Sequence, residues 1–332
     1  LGFASRILGP CFGAPFTYAA FNKERGIAPG LPSFDDLHNI YDIDRLNRQT
    51  AIYGVIGDPV AHSLSPLIHN KTFRKLGINA VYVPFRVSRA ELPGFLKAFD
   101  KLPVRGYSVT IPHKEMAATL ATQRDAAVTR VQAANTLVRT DTGWSAFNTD
   151  AQAALDSIHA HLPANADGSP PTLHSRSVLL LGAGGVAKAV AHALAKEVSL
   201  LAIANRSADK AHKLAEQVDC RAVDWAARHN ILADVVINCT SVGMHPNTDE
   251  SPLHHSFLKP GIMVMDAIYT PETTLLVKEA RSRGCHVLTG VDMFVRQAAL
   301  QFKLFTGMEP PLDYMRGIIH RALSPVAIRE PE

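Results

Sequence analysis

The chain has 332 residues, 47% of them hydrophobic and 19% charged, with a formal net charge of +4. That length exceeds one ordinary core, so two domains are expected, and the composition excludes a disordered chain. The basic residues are scattered, which argues against a nucleic-acid partner, and no apolar run reaches the ~18 residues of a membrane helix. Cys11, Cys220, Cys239 and Cys285 lie far apart without a CxxC pair. Neither a zinc site nor a disulfide framework is therefore expected, and the thiols read as those of a reduced, cytoplasmic protein.

Residues 1–22 are apolar but broken by Arg6, Pro10 and Pro15, unlike a signal peptide with its basic start and continuous apolar centre. With no initiator Met, this stretch reads as the inside of something larger. Residues 41–50 are polar enough for a linker. A strand at 51–57 then opens an α/β domain. Ser65-Pro66 reads as an N-cap with Pro at the first helical position, starting a helix to about Leu76. Next come a strand at 81–87, a helix at 90–102, a strand at 105–110 and a helix opening at Pro112-His113-Lys114. Two short strands, 135–139 and 144–147, flank the turn Asp141-Thr142-Gly143. A helix follows at 151–161, and this alternation predicts a largely parallel sheet. The Pro/Gly/Ser-rich stretch 163–176 marks the next boundary. The expected domains are therefore 51–162 and 163–290, with amphipathic helices within 291–323 packing back onto the first.

The second domain opens with Val178-Leu179-Leu180-Leu181, an apolar run suited to a strand buried on both faces. Gly182-Ala183-Gly184-Gly185 follows, then a helix with Ala187, Ala191 and Leu194 on one face, then the strand Leu200–Ala204. Strand, glycine turn, helix and strand within 30 residues make a Rossmann-like βαβ unit. Gly182 permits the tight turn, Gly184 lets backbone N–H groups approach a pyrophosphate, and Ala187 allows close helix–strand packing. At the end of the second strand an NAD site places an acid. Here stand Asn205-Arg206-Ser207, with Lys210 one turn later, and a guanidinium there favours the 2′-phosphate of NADP.

Four polar clusters sit at turns after strands or at helix starts: Ser63 with Ser65, Thr110 with Lys114, Asn135, and Asn148 with Asp150. Open α/β sheets gather ligand groups at such positions. Singly, each has an ordinary structural reading as a cap or turn residue. Lys114 is the exception, because a Lys in the first turn of a helix opposes the macrodipole. Its candidate partner is Asp150.

The segments HSLSP (62–66), SVTIPHK (108–114), AANT (133–136), FNTD (147–150), GAGGVAKA (182–189), NRS (205–207), CTSVGM (239–244), DAIYTPETT (266–274) and VDMFVRQAA (291–299) share one pattern. In that order and spacing, the chain from about 51 to 320 resembles the shikimate dehydrogenase family. The resemblance implies an NADP-dependent reductase of 3-dehydroshikimate in aromatic amino acid biosynthesis, with two α/β domains. It implies Lys114 and Asp150 as the acid–base pair. Ser63, Ser65, Thr110, Asn135, Tyr269 and Gln297 would contact substrate. Thr240, Gly243, Met244 and Gly290 would join the glycine turn and Asn205–Lys210 around NADP. Two alternatives remain open at this point, a broader quinate/shikimate dehydrogenase and a non-catalytic NADP-binding module. A monomer and a homodimer are equally open.

Residues 1–40 carry a second resemblance. Ser5-Arg6, Phe12-Gly13, Phe16-Thr17 and Ala28-Pro29-Gly30 are similar to the C-terminal end of type I 3-dehydroquinate dehydratases, which are (β/α)8 barrels of ~250 residues. The Lys and His that act in that family lie in parts not matched here, so the resemblance implies a barrel remnant, and a fused dehydratase domain as a partner, without dehydratase activity in residues 1–40. A remnant lacking most of its barrel is expected to be partly disordered or loosely docked.

Overall fold

The computed structural model describes residues 2–22, 30–163 and 171–324. Ala28-Pro29 and residues 164–170 of the expected interdomain connection lie outside the described residues. The chain divides into two compact units, one of residues 1–148 with 298–319 and one of residues 149–297 with 320–332.

The first unit is built on strands β1 (Ala51–Gly57), β2 (Ala80–Arg86), β3 (Val104–Val109), β4 (Gln123–Arg124), β5 (Thr136–Thr140) and β6 (Gly143–Phe147). They form one sheet in the order β2-β1-β3-β5-β6-β4. β1 runs parallel to β2 and β3, and β5 joins antiparallel to β3 and β6. The alternation along β1 explains why both faces are covered. Ile52 and Ile56 enter one core with Val81, Val83 and Phe85, whereas Tyr53 and Val55 enter the opposite one with Phe73, Phe302 and Phe305. The Tyr53 hydroxyl satisfies itself there by donating to the Phe305 carbonyl at 2.9 Å.

The N-terminal segment departs from expectation. Helix Gly2–Leu8 buries Ala4, Ile7 and Leu8, and with Cys11, Leu37 and Tyr41 they join the core that covers Val81 and Phe85. These apolar side chains lie against the sheet at β2, so this part is packed rather than loosely docked. Arg6 closes the segment by donating to the Gly2 and Gly30 carbonyls. The stretch 41–50 is tied down as well, through Arg74 to Asp42 and Thr50 to Asn79. Elsewhere the expected helix at 90–102 is a 3-10 turn, Arg89–Glu91, followed by a helix Leu92–Phe99. The sequence reading also passed over β4 and the helix Ala126–Val131, both too short to show a period.

His69 lies wholly inside the first unit, stacked on Tyr82 with ring centroids 4.4 Å apart, and neither ring nitrogen has a hydrogen-bond partner. Burial pushes its pKa down to about 3. The folded chain therefore stays neutral while the unfolded chain takes up a proton below its ordinary value near 6.5. This contribution to stability is complete above about pH 6.5 and is lost as the pH falls toward 3. Between pH 7 and 5, chemical denaturation should show the native protein losing about 2 kcal/mol more than His69→Phe, which keeps the stacking and cannot titrate.

The second unit carries β7 (Ser177–Leu181), β8 (Leu200–Asn205), β9 (Arg221–Asp224), β10 (Val235–Asn238), β11 (Met263–Asp266) and β12 (His286–Leu288). Every pairing is parallel and the order is β12-β11-β10-β7-β8-β9. This is the doubly wound arrangement, whose order reverses between β7 and β10 and opens a crevice at the strands' carboxyl ends. The continuous apolar runs Val178–Leu181 and Val235–Ile237 are buried because helices cover both faces. No helix among the described residues is long and apolar enough to cross a membrane.

Candidate active site

In the first unit the expected residues gather after β1, β3 and before β5. The Ser63 hydroxyl accepts from the Ser65 N–H at 3.2 Å. Ser65 is not the N-cap expected from sequence. The helix begins at Ser65 itself, Leu64 holds the cap position in a helical conformation, and no side chain caps it. The Ser65 hydroxyl is thereby released from capping, and it faces the buried Tyr82 hydroxyl together with Ser108. Thr110 follows β3 directly, its N–H donating to the Ile56 carbonyl at 3.0 Å, so the ends of β1 and β3 are locked side by side. His113 is fully buried and its Nε2–H donates to the Val87 carbonyl at 2.7 Å. That anchor fixes the start of the helix Lys114–Leu120.

Lys114 is the first residue of this helix, and its carbonyl accepts from the Ala134 N–H at 2.8 Å. Asn135 is thus brought to the same turn. Its carbonyl accepts from Val109 N–H at 2.7 Å and from Gln301 Nε2 at 2.9 Å, and its Oδ1 accepts from the Thr136 hydroxyl at 2.8 Å. Gln301 is a residue the sequence reading missed. It is buried, accepts from the Ser108 hydroxyl at 2.7 Å, and so fastens the end of β3 to Asn135. Its position one turn after Gln297 on the same helix was the available signal. Asn148 spends its amide on the Ala133 carbonyl at 2.8 Å, a holding role.

In the second unit Asp150 is buried at the first position of the helix Asp150–His161, where the macrodipole favours a carboxylate. The preceding Thr149 hydroxyl donates to the Gln297 carbonyl at 3.2 Å. Gln297 lies on the helix Gly290–Thr306 with Phe294, against whose ring Tyr269 stacks at 4.5 Å. One helical turn therefore brings Asp150, Gln297 and Tyr269 into one neighbourhood. Gly290 opens that helix, and a Cβ there would strike the Ile268 carbonyl, which explains the glycine. Thr240 is tied to Asn238 Oδ1 through its hydroxyl at 2.7 Å, while Met244 is half exposed beyond it. Burial raises the Asp266 carboxyl, at the end of β11, to about 6, and Cys239 beside it is raised further still.

The glycine turn has the form that a dinucleotide requires. Gly182 has a φ of +116°, and a Cβ would approach the Cys239 carbonyl oxygen to 2.8 Å. A Cβ on Gly184 would meet nothing within 4 Å, so open space lies over the N-terminus of the helix Gly185–Leu194. Ala183 is buried, and Ala187 is wholly buried against the strand. At the end of β8, the Asn205 amide donates to the Ser207 carbonyl at 3.0 Å. Arg206 and Lys210 are exposed and, among the described residues, have no ion-pair partner. An unopposed guanidinium and ammonium at this strand end fit a phosphorylated ribose. Among the described residues no cluster of His, Cys, Asp or Glu could hold a metal ion.

Four family descriptions match the chain. Residues 55–137 match the shikimate dehydrogenase substrate binding domain, 165–253 shikimate / quinate 5-dehydrogenase, and 290–319 the shikimate 5′-dehydrogenase C-terminal domain. Residues 1–48 match type I 3-dehydroquinase. The chain is 37% identical over 322 residues to the chloroplastic bifunctional 3-dehydroquinate dehydratase/shikimate dehydrogenase of Arabidopsis thaliana, covering 94% of this chain and 53% of that one. It spans about half the length of that relative. It is 40% identical over 289 residues to the shikimate dehydrogenase (NADP(+)) of Oleidesulfovibrio alaskensis, covering 85% of this chain and 98% of the relative. Among solved structures, shikimate 5-dehydrogenase from Thermus thermophilus, in complex with NADP(H) and shikimate, superimposes with a TM-score of 0.74 at 32% identity. That match covers 82% of this chain and 100% of the other.

Proposed function

The chain belongs to the shikimate dehydrogenase family, and on that premise we propose that it interconverts 3-dehydroshikimate and shikimate with NADP(H), a step of aromatic amino acid biosynthesis. The observation that carries this reading is the placement of Lys114. It stands in the helix turn that its own preference disfavours, hydrogen-bonded through its carbonyl to the residue before Asn135. When bound, the nicotinamide supplies the hydride. The protein's part is to orient substrate and to manage charge and proton on the reacting oxygen. The Lys114 ammonium stabilises the charge growing on that oxygen during reduction, and Asp150 holds the lysine and the proton in place. Ser63 and Ser65 donate to the substrate carboxylate. Thr110, Asn135, Tyr269 and Gln297 hold carboxylate or ring hydroxyls.

On the cofactor side, Gly182, Ala183, Gly184, Gly185 and Ala187 admit the pyrophosphate to the helix N-terminus. Arg206 and Lys210, with Asn205 and Ser207, take the 2′-phosphate. Thr240, Gly243, Met244 and Gly290 border the nicotinamide. Residues 1–48 read as the terminal part of a type I dehydroquinase domain fused to the reductase, the arrangement named for the Arabidopsis relative. The four unpaired cysteines fit a reducing compartment such as the cytoplasm.

Oxidation of shikimate and of quinate, each with NADP and with NAD, tests substrate and cofactor together. The proposal expects fast oxidation of shikimate with NADP and little with quinate or NAD. Comparable rates with quinate would move the reading to a quinate/shikimate enzyme, and binding without turnover would move it to a non-catalytic module.

A further inference from the structure

Asp266 ends β11 wholly buried and has no role in the chemistry above. Both its oxygens are engaged. Oδ1 accepts from Asn238 Nδ2 at 3.1 Å and from the Ile268 N–H at 3.0 Å, and Oδ2 accepts from the Thr274 hydroxyl at 2.7 Å. These three donors belong to three different segments. Asn238 ends β10, and its Oδ1 accepts from the N–H and hydroxyl of Thr240 at 3.0 and 2.7 Å. The Thr240 hydroxyl accepts in turn from the Val242 N–H at 3.1 Å. Ile268 immediately precedes Tyr269. Thr274 caps the helix Leu275–Ser282, accepting from the Val277 N–H at 3.2 Å.

We propose that Asp266 is a positioning residue that holds the 240–244 loop and Tyr269 together in the arrangement in which they meet cofactor and substrate. This rests on the roles proposed above for Thr240, Gly243, Met244 and Tyr269. A carboxylate suits the task because it only accepts, and all three groups facing it donate. An amide in its place would turn a donor toward Thr274, whose hydroxyl proton would then lose its acceptor. Both loops leave the carboxyl ends of adjacent parallel strands, so one acceptor between β10 and β11 sets their separation.

The test uses the full chain and the variants Asp266→Asn, Thr274→Val and Thr274→Ser. NADPH binding is measured by fluorescence titration, kcat and KM for 3-dehydroshikimate by steady-state reduction, and folding by thermal melting. Asp266→Asn is expected to raise both the NADPH Kd and the KM by about tenfold, the scale of one buried hydrogen bond. Thr274→Val should shift both in the same direction, and Thr274→Ser, which keeps the hydroxyl, should restore them. A role confined to stability would lower the folded fraction and hence kcat, with Kd and KM at native values in all three variants. That result overturns the proposal. If Asp266→Asn does not fold, the Thr274 pair decides by the same criterion. If the native chain binds NADPH without reducing 3-dehydroshikimate, the functional reading fails, and the NADPH Kd series alone decides whether Asp266 holds the 240–244 loop.

Discussion

Replacing Lys114 with Ala should lower kcat for 3-dehydroshikimate reduction by about 10²–10⁴-fold, the usual contribution of a positioned acid–base group. In the proposed role Lys114 contributes only while charge builds on the oxygen, so most of the loss should appear in kcat and little in KM. Asp150→Asn should fall by a similar factor. The double variant should be little worse than either single one, because residues that act as a unit are strongly non-additive. The fold should tolerate both changes. The helix that Lys114 opens is fixed by His113 and by the backbone bond from Ala134. A kcat within fivefold of native for both variants would remove the pair from the chemistry.

Arg206→Ala should raise the KM for NADPH by about 10–100-fold, the range of a lost hydrogen bond to a charged group. The KM for NADH should stay within twofold, since NADH carries no 2′-phosphate for Arg206 to meet. Adding Lys210→Ala should widen the loss for NADPH. Because both cations are exposed and unpaired in the described structure, their removal leaves no buried partner behind, and stability should be unchanged. Parallel NADPH and NADH kinetics with a thermal melt check all of this. Equal losses with both cofactors would mean that Arg206 does not read the phosphate.

How much of this was legible in the amino-acid order depends on the range over which each feature is encoded. The βαβ unit was legible because its signals are local: an apolar run at 178–181, glycines at 182, 184 and 185, and a helical stripe thereafter. The edge strand β9, only four residues long, was passed over. The helix start at Ser65 was misread because a serine before a proline has the composition of a cap. The choice between cap and first helical residue is made by backbone dihedrals that sequence does not display. Residues 1–22 were legible as a broken apolar stretch, but not the surface against which Ile7, Leu8 and Cys11 pack.

Asp266 and Gln301 escaped for a related reason. Polar residues in a strand or amphipathic helix look solvated until the fold shows what surrounds them. The Gln301 partner Ser108 lies 193 residues away in sequence. Asp266 sat inside a recognised motif, yet its donors come from three segments that only the strand order brings together. Buried polar networks are long-range facts, and local pattern carries no record of them.

The most direct test of the account is the reduction of 3-dehydroshikimate by the purified chain with NADPH, followed by loss of NADPH absorbance and by identification of the product. The account predicts stoichiometric conversion to shikimate, abolished to within the residual rate of Lys114→Ala, with NADH a poor substitute. Tight NADPH binding with no shikimate formed, under conditions where a known family member turns over, would contradict it.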